Sequence, residues 1–191
     1  MNAAWPIIRK ARHIRGRTLV LRDASVADAE FILALRTDSR KSRHLSATSA
    51  QVEKQIAWLE AYAKAQDQAY FIIETTSAEP IGTVRLYNPE EDSFCWGSWI
   101  LKDGAPQTAA IESALMIYEY GIAHLGFKRA HFDVRKENES VWKFHERFGA
   151  KRVAETERDY FYTIGRAEIE MARNRYRKFL PNPIVVECEV K

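Results

Sequence analysis

The period of the apolar residues changes once within Arg129 to Ala150 (RAHFDVRKENESVWKFHERFGA), and that change constrains the fold more than any other stretch of the chain. Its first seven residues alternate, with Ala130, Phe132 and Val134 on one side and His131, Asp133 and Arg135 on the other, as in a strand with one buried face. A polar break follows at Lys136-Glu137-Asn138. Val141, Phe144 and Phe148 then recur at i, i+3 and i+7, the period of a short amphipathic helix, and Gly149 is placed to close it.

The same reading orders the rest of the chain. Thr18 to Arg22 forms a strand, followed by a helix that Ser25 can cap, with Ala27, Phe31, Ala34 and Leu35 on one face. A polar, basic link runs from Arg36 to Ala47. Thr48 and Gln51 have capping-box spacing and open a second helix, with Val52, Ile56, Leu59 and Ala63 inward. Ala69 to Thr75 and Pro80 to Leu86 read as paired strands about Ser77-Ala78-Glu79, and Phe94 to Leu101 as the next strand after a turn at Asn88 to Asp92. The longest helix is expected from Pro106 to His124, and a hairpin about Gly165 from Lys151 to Tyr162 with Ala167 to Arg173. The order β-α-α-β-β-β-α-β-α-β-β is mixed α/β, without the strict alternation or glycine fingerprint of a dinucleotide-binding fold.

Composition excludes several classes. With 191 residues the chain fits one domain that can bury a full core. No apolar run reaches the roughly 18 residues of a membrane span, and Met1 to Lys10 lacks a secretory pattern. Two cysteines, Cys95 and Cys188, make neither a disulfide framework nor a metal-ligand cluster, so a reduced cytoplasm and no metal are expected. Arg9, Lys10, Arg12, Arg15 and Arg17 crowd one end, and Arg173, Arg175, Arg177 and Lys178 the other. They read as two solvated arms, or as patches for an anionic partner; no RNA-recognition or zinc-finger motif accompanies them.

The strand, the Asn, the amphipathic turn and the closing Phe-Gly resemble the end of the acyl-CoA-binding core of the GNAT N-acetyltransferases. The order of elements is also that of this family, from Arg17 to Arg173. The resemblance implies a central mixed, mostly antiparallel sheet of about seven strands flanked by four helices. Residues 1–16 are then a basic N-terminal arm, 17–174 the acetyltransferase domain and 175–191 a C-terminal extension. It implies acetyl-CoA as co-substrate, with Asn138 at the pantetheine arm and Trp99, Ile100 and Leu101 offering backbone groups from a splayed strand, as in strand addition. The family's glycine-rich pyrophosphate loop is replaced by Gly104-Ala105-Pro106-Gln107-Thr108-Ala109-Ala110-Ile111. Gln107, Thr108, Ala109, Ala110 and Ile111 can still present the free N–H groups and dipole of a helix start to phosphate.

Direct transfer from a thioester needs a neutral amine, support for the carbonyl oxygen and a proton for the departing sulfur, but no enzyme nucleophile. His145 stands where the family usually has a Tyr proton donor, seven residues beyond Asn138. It can donate N–H to sulfur, protonate it if its pKa is raised, or act as base; equally it is a core histidine, at i+4 from Val141. Tyr160 and Tyr162 are reserve donors. Cys95 occupies the place of the family's acidic base, so no base is assigned, and a small buried side chain is the expectation there.

The segment RTDSRKSRHLSATSAQVEKQIAWLEAYAKAQDQAYFII is similar to that of members acting on nucleotide-linked amino sugars. Arg36, Arg40, Arg43 and His44 would then suit a diphosphate or an acidic sugar, unless they are only a solvated link. The chain also resembles the ribosomal-protein N-terminal acetyltransferases, whose acceptor is an α-amino group of pKa about 8. The expected partners are therefore acetyl-CoA and an amine, without membrane or nucleic acid, and whether the chain is a monomer or a homodimer stays open. The contrasting reading is a non-catalytic GNAT fold that binds a ligand or nucleic acid through its basic arms.

Overall fold

A computed structural model of the protein describes residues 5–39, 41, 44 and 48–188. The strands are β1 His13–Arg15, β2 Leu19–Asp23, β3 Ala69–Thr75, β4 Pro80–Glu90, β5 Ser93–Leu101, β6 Arg129–Arg135, β7 Lys151–Glu155, β8 Asp159–Gly165 and β9 Val185–Glu187. The helices are α1 Ala29–Thr37, α2 Val52–Lys64, α3 Ala109–Glu119, α4 Glu139–Phe148 and α5 Arg166–Arg175. The strands form one sheet in the order β7-β8-β6-β5-β4-β3-β2-β1-β9, antiparallel except where β5 meets β6.

Two cores follow from two faces. On one face Ile32, Leu59, Tyr62, Tyr70 and Ile72 join α1 and α2 to the sheet. On the other, Leu115, Met116, Tyr118, Phe148 and Ile169 of α3, α4 and α5 pack over Phe71, Leu86, Trp96 and Phe132. The mixed α/β class holds, with two more strands and one more helix than the sequence suggests. No helix among the described residues is long and apolar enough to cross a membrane.

The extra strands come from the chain ends. Ile8, Ala11 and Ile14 are buried, and β1 pairs with both β2 and β9, so the segments read as solvated arms lie partly inside the domain. Much of their basic charge is also used internally. Lys10 Nζ donates to the Tyr62 carbonyl at 2.7 Å, Arg15 Nε to Glu187 at 2.8 Å, and Arg17 to the Lys178 carbonyl.

Three local expectations are corrected. The hairpin turns at 156–158, not at Gly165; Gly165 instead precedes α5, because Ala167 to Arg173 is rich in helix formers and buries Ile169 and Ala172 three residues apart. On α2, Val52, Ile56 and Leu59 face the core as expected, but Ala63 is exposed and Gln55 and Tyr62 are buried instead. Thr48 and Gln51 form no capping box: Gln51 is itself the cap residue, and the Thr48 hydroxyl accepts from Arg36 Nε at 2.7 Å. The long helix also changes form at its end, where Tyr120–His124 makes a π-helical turn. Gly149 does close α4, in the left-handed conformation at φ 100.

Candidate active site

β5 and β6 are parallel for only three residue pairs, Ser93–Arg129, Phe94–Ala130 and Cys95–His131. Beyond Cys95 they part. β6 continues along β8, and β5 continues along β4, leaving a V between them. In the V, β5 carries one extra residue: Ser98 and Trp99 together face the single Val84 between the pairs Arg85–Gly97 and Thr83–Ile100. Ser98 sits at φ 46, the left-handed region that bulges often need.

The registers assign side chains to faces. Tyr70, Arg85 and Gly97 are successive partners across β3, β4 and β5, on the face covered by α1 and α2. On β6, Asp133 lies two residues beyond His131, the partner of Cys95, and so faces the same side. Leu86, Trp96 and Phe132 belong to the opposite face, with α3 and α4. Because of the bulge Trp99 joins Trp96 there, and its Nε1 donates to Ser113 Oγ of α3 at 3.1 Å.

A cavity of about 280 Å³ opens in the V and is lined from both faces. Trp96, Trp99, Phe132, Asn138 and His145 wall one side; Arg36, Tyr87, Gly97, Ser98 and Asp133 wall the other. A second cavity of about 300 Å³ adjoins it, sharing Arg36 and Ser98, and is lined also by Lys54, Gln55, Trp58, Tyr70 and Arg85. Among the described residues, no Asp or Glu lines this second cavity.

His145 is buried, with its ring centroid 4.2 Å from that of Phe132 and 5.2 Å from that of Trp96. Burial pushes its pKa down to about 3, so the ring is neutral at physiological pH. That removes the imidazolium as a proton source and leaves a neutral ring. Its Nδ1 and the Nε1 of Trp96 are buried without hydrogen-bond partners among the described residues. Asn138 caps α4: its carbonyl accepts from the N–H groups of Val141 and Trp142 at 3.1 and 3.2 Å, and its side chain lines the cavity.

The helix start is available too. The first α-helical bond of α3 runs from Glu112 N–H to the Thr108 carbonyl at 3.0 Å, so the N–H groups of Ala110 and Ile111 precede the ladder. Gln107 and Thr108 are exposed beside them, whereas Ala109 is packed into the core. Ile100 and Leu101 continue the edge of β5 past the last pair with β6.

Some predicted residues fall elsewhere. The Arg152 guanidinium lies over Tyr160, 3.5 Å from its ring centroid, and the Tyr162 hydroxyl donates to Glu146 at 3.0 Å; neither lines either of these two cavities. Arg36 and His44 line the V, while Arg40 and Arg43 lie outside the described residues. Cys95 is buried, and burial raises its thiol to about 11.

Sequence reasoning missed Lys54, Trp58, Arg85 and Asp133. Arg85 is the most telling. Its Nη2 donates to Gln68 Oε1, its Nε is buried without a partner, and its Cζ lies 4.7 Å from the centroid of the Tyr87 ring and 5.1 Å from that of Trp58. It pairs with no carboxylate among the described residues, and burial lowers its pKa. The available signal was a lone Arg inside an apolar strand, where an unpaired cation is costly.

The sequence profile of the acetyltransferase (GNAT) domain matches residues 18–151. None of the curated proteins matches the sequence significantly. Among solved structures, apo FdhC, described as a nucleotide-linked sugar GNAT, is similar with a TM-score of 0.80 and 35% identity, over 88% of this chain and 98% of that one. A GCN5-related N-acetyltransferase from Brucella melitensis gives 0.76 at 17% identity, over 95% and 91%. The spermidine N-acetyltransferase SpeG of Vibrio cholerae, in a mutant form, gives 0.69 at 15%, over 80% and 96%. The last two likenesses concern the fold alone.

Proposed function

The chain belongs to the GNAT family of N-acetyltransferases, and from that premise we propose that it moves an acetyl group from acetyl-CoA directly to the primary amine of a nucleotide-linked amino sugar. The observation that carries the acceptor class is the cavity lined by Arg36, Lys54 and Arg85, with no carboxylate in its walls among the described residues, opening into the V at Ser98. Arg85, half-buried and with no carboxylate partner among the described residues, is costly without an anion, and a diphosphate supplies one. Trp58, partly exposed beside Arg85, adds an aromatic face for a sugar or base. The 35% identity to a nucleotide-linked sugar GNAT supports the same class.

Acetyl-CoA supplies the thioester and its good leaving group. For its binding, the parted edge of β5 offers main-chain groups to the pantetheine arm, Asn138 an amide, and the start of α3 free N–H groups to the pyrophosphate. Alanine is the next-smallest residue where phosphate meets backbone, and the dipole does not depend on glycine. In this arrangement His145, neutral and walled by aromatic rings, donates one N–H to the sulfur rather than a full proton.

An acetyl-transfer assay with a panel of amines tests the reading. A nucleoside-diphosphate-linked amino sugar is expected to be acetylated, with kcat/KM at least about tenfold above the same amino sugar without its nucleotide, the worth of one charge-assisted contact. Arg85→Gln should raise the acceptor KM and leave acetyl-CoA affinity unchanged. Transfer only to peptide N-termini, or equal rates on linked and free sugars, would overturn the acceptor assignment.

A further inference from the structure

We infer that Asp133 is the group that takes the proton from the acceptor's ammonium, with its carboxylate facing the amine across the V from Gly97. The inference rests on the transferase reading above and supplies the base that the sequence pattern lacks at Cys95.

Three observations carry it. First, Asp133 follows Phe132 on β6, so alternation turns it away from His145 and the α3–α4 face toward the α1–α2 face, where the cationic cavity lies. It reaches the V from the side opposite to His145. Second, its carboxylate makes no ion pair and no hydrogen bond to another side chain among the described residues. Its neighbours are committed elsewhere: Arg135 to Asp159 at 3.1 Å, and His131 Nδ1 to Ser93 Oγ at 2.7 Å. Third, Asp133 lines the V together with Gly97, Ser98 and Tyr87. Gly97 adds no side chain to that wall, and its missing Cβ leaves room for the Tyr87 hydroxyl, which a Cβ would approach to 2.9 Å.

The surroundings suit a base. Asp133 is exposed at the mouth of the V, yet burial by its walls, and then the nearby Asp159 of β8, raise its pKa. Arg135 and His131 of its own strand act in the other direction, and Tyr87 of β4, Arg36 of α1 and His44 complete the polar lining. The raised pKa gives the carboxylate added basicity. The step balances simply. The ammonium gives one proton to Asp133, and the neutral nitrogen attacks the thioester carbon. The N–C bond forms as C–S breaks, the nitrogen's second proton ends on sulfur as the free thiol of CoA, and Asp133 returns its own to solvent.

Asp133→Asn removes the base and keeps the shape. With whichever amine the wild-type protein acetylates fastest, kcat at about pH 7 should fall by about 10²–10⁴-fold, with acetyl-CoA affinity by calorimetry unchanged. The deficit should shrink as pH rises toward about 9, because the amine then loses its proton to solvent; a merely structural role would leave it constant. Asp133→Glu, which restores a carboxylate, should regain at least about tenfold of the lost rate. Wild-type turnover in the Asn variant, or a deficit constant with pH and not relieved by Glu, would overturn the inference. If the preferred amine proves not to be nucleotide-linked, the acceptor assignment fails while Asp133 is still tested on that amine.

Discussion

His145 is held among the rings of Phe132, Trp96, Trp99 and Phe144, with Nδ1 buried and unpartnered among the described residues. A histidine kept neutral this way ties folding to pH. Its pKa is about 3 folded and about 6.5 unfolded, so between those values the unfolded chain binds the extra proton. Stability is therefore full above about pH 6.5 and falls as pH drops, by up to about 1.4 kcal/mol per unit from this group. His145→Phe, which fills the same space without ring nitrogens, should remove about 2 kcal/mol of the stability lost between about pH 6.5 and pH 5 in urea titrations. If the ring also donates to sulfur, kcat should fall about 10- to 100-fold, the worth of one hydrogen bond to developing charge. An unchanged kcat would leave His145 a core residue. Its inward placement was legible from its spacing to Val141. The roles of Arg85 and Asp133 were not, because each depends on which strand lies beside it, and alternation within one strand names no neighbour.

At the scale of elements, α4 and its cap carry the clearest link between sequence and site. Asn138 stands where β6 ends and α4 begins, and its backbone groups are already engaged, with its N–H donating to the Arg135 carbonyl at 2.9 Å. Its side-chain Oδ1 accepts from Ser140 Oγ at 3.4 Å, and the amide nitrogen stays available to a ligand. Asn138→Ala should lose about 1–2 kcal/mol of acetyl-CoA binding, measured by calorimetry, with a smaller change in fold stability. Unchanged affinity in a folded variant would reduce Asn138 to a turn residue. Strands and helices of strong period were readable here: β6, α4, β3 and most of α3. The α5 helix was not, because Gly165 resembles a hairpin turn and the helix hides only Ile169 and Ala172. The β5 bulge was also hidden, since FCWGSWIL holds no sign of where its extra residue falls.

For the molecule as a whole, the chain ends act as a clasp on the sheet. Glu187 of β9 accepts from Arg15 at 2.8 Å and lies 3.0 Å from His13 of β1, but the first pair is exposed and the second only partly buried, and both are of small worth. The contribution comes from Leu180 and Ile184, both buried, with Ile184 N–H donating to Glu119 at 3.0 Å. Ending the chain after Lys178 should lower the free energy of unfolding by about 3–6 kcal/mol, the burial of two large aliphatic side chains, whereas Glu187→Ala should change it little. Equal effects in chemical denaturation would mean that the clasp is electrostatic. Charge counting suggested free arms because basic residues mark both ends, while the few apolar residues that anchor them are spread too thinly to show a period.

The parting of β5 from β6 bears on what such an enzyme can become. At one end the two halves of the sheet are joined through three residue pairs of backbone. At the other, only side-chain bulk spans the gap, chiefly Trp96, Trp99, Phe132 and Phe144. Hydrogen bonds have a fixed length, but ring volume changes with a single codon. The bore of the opening is thereby written in replaceable parts: trimming an indole widens it, and the strands that frame it need not move.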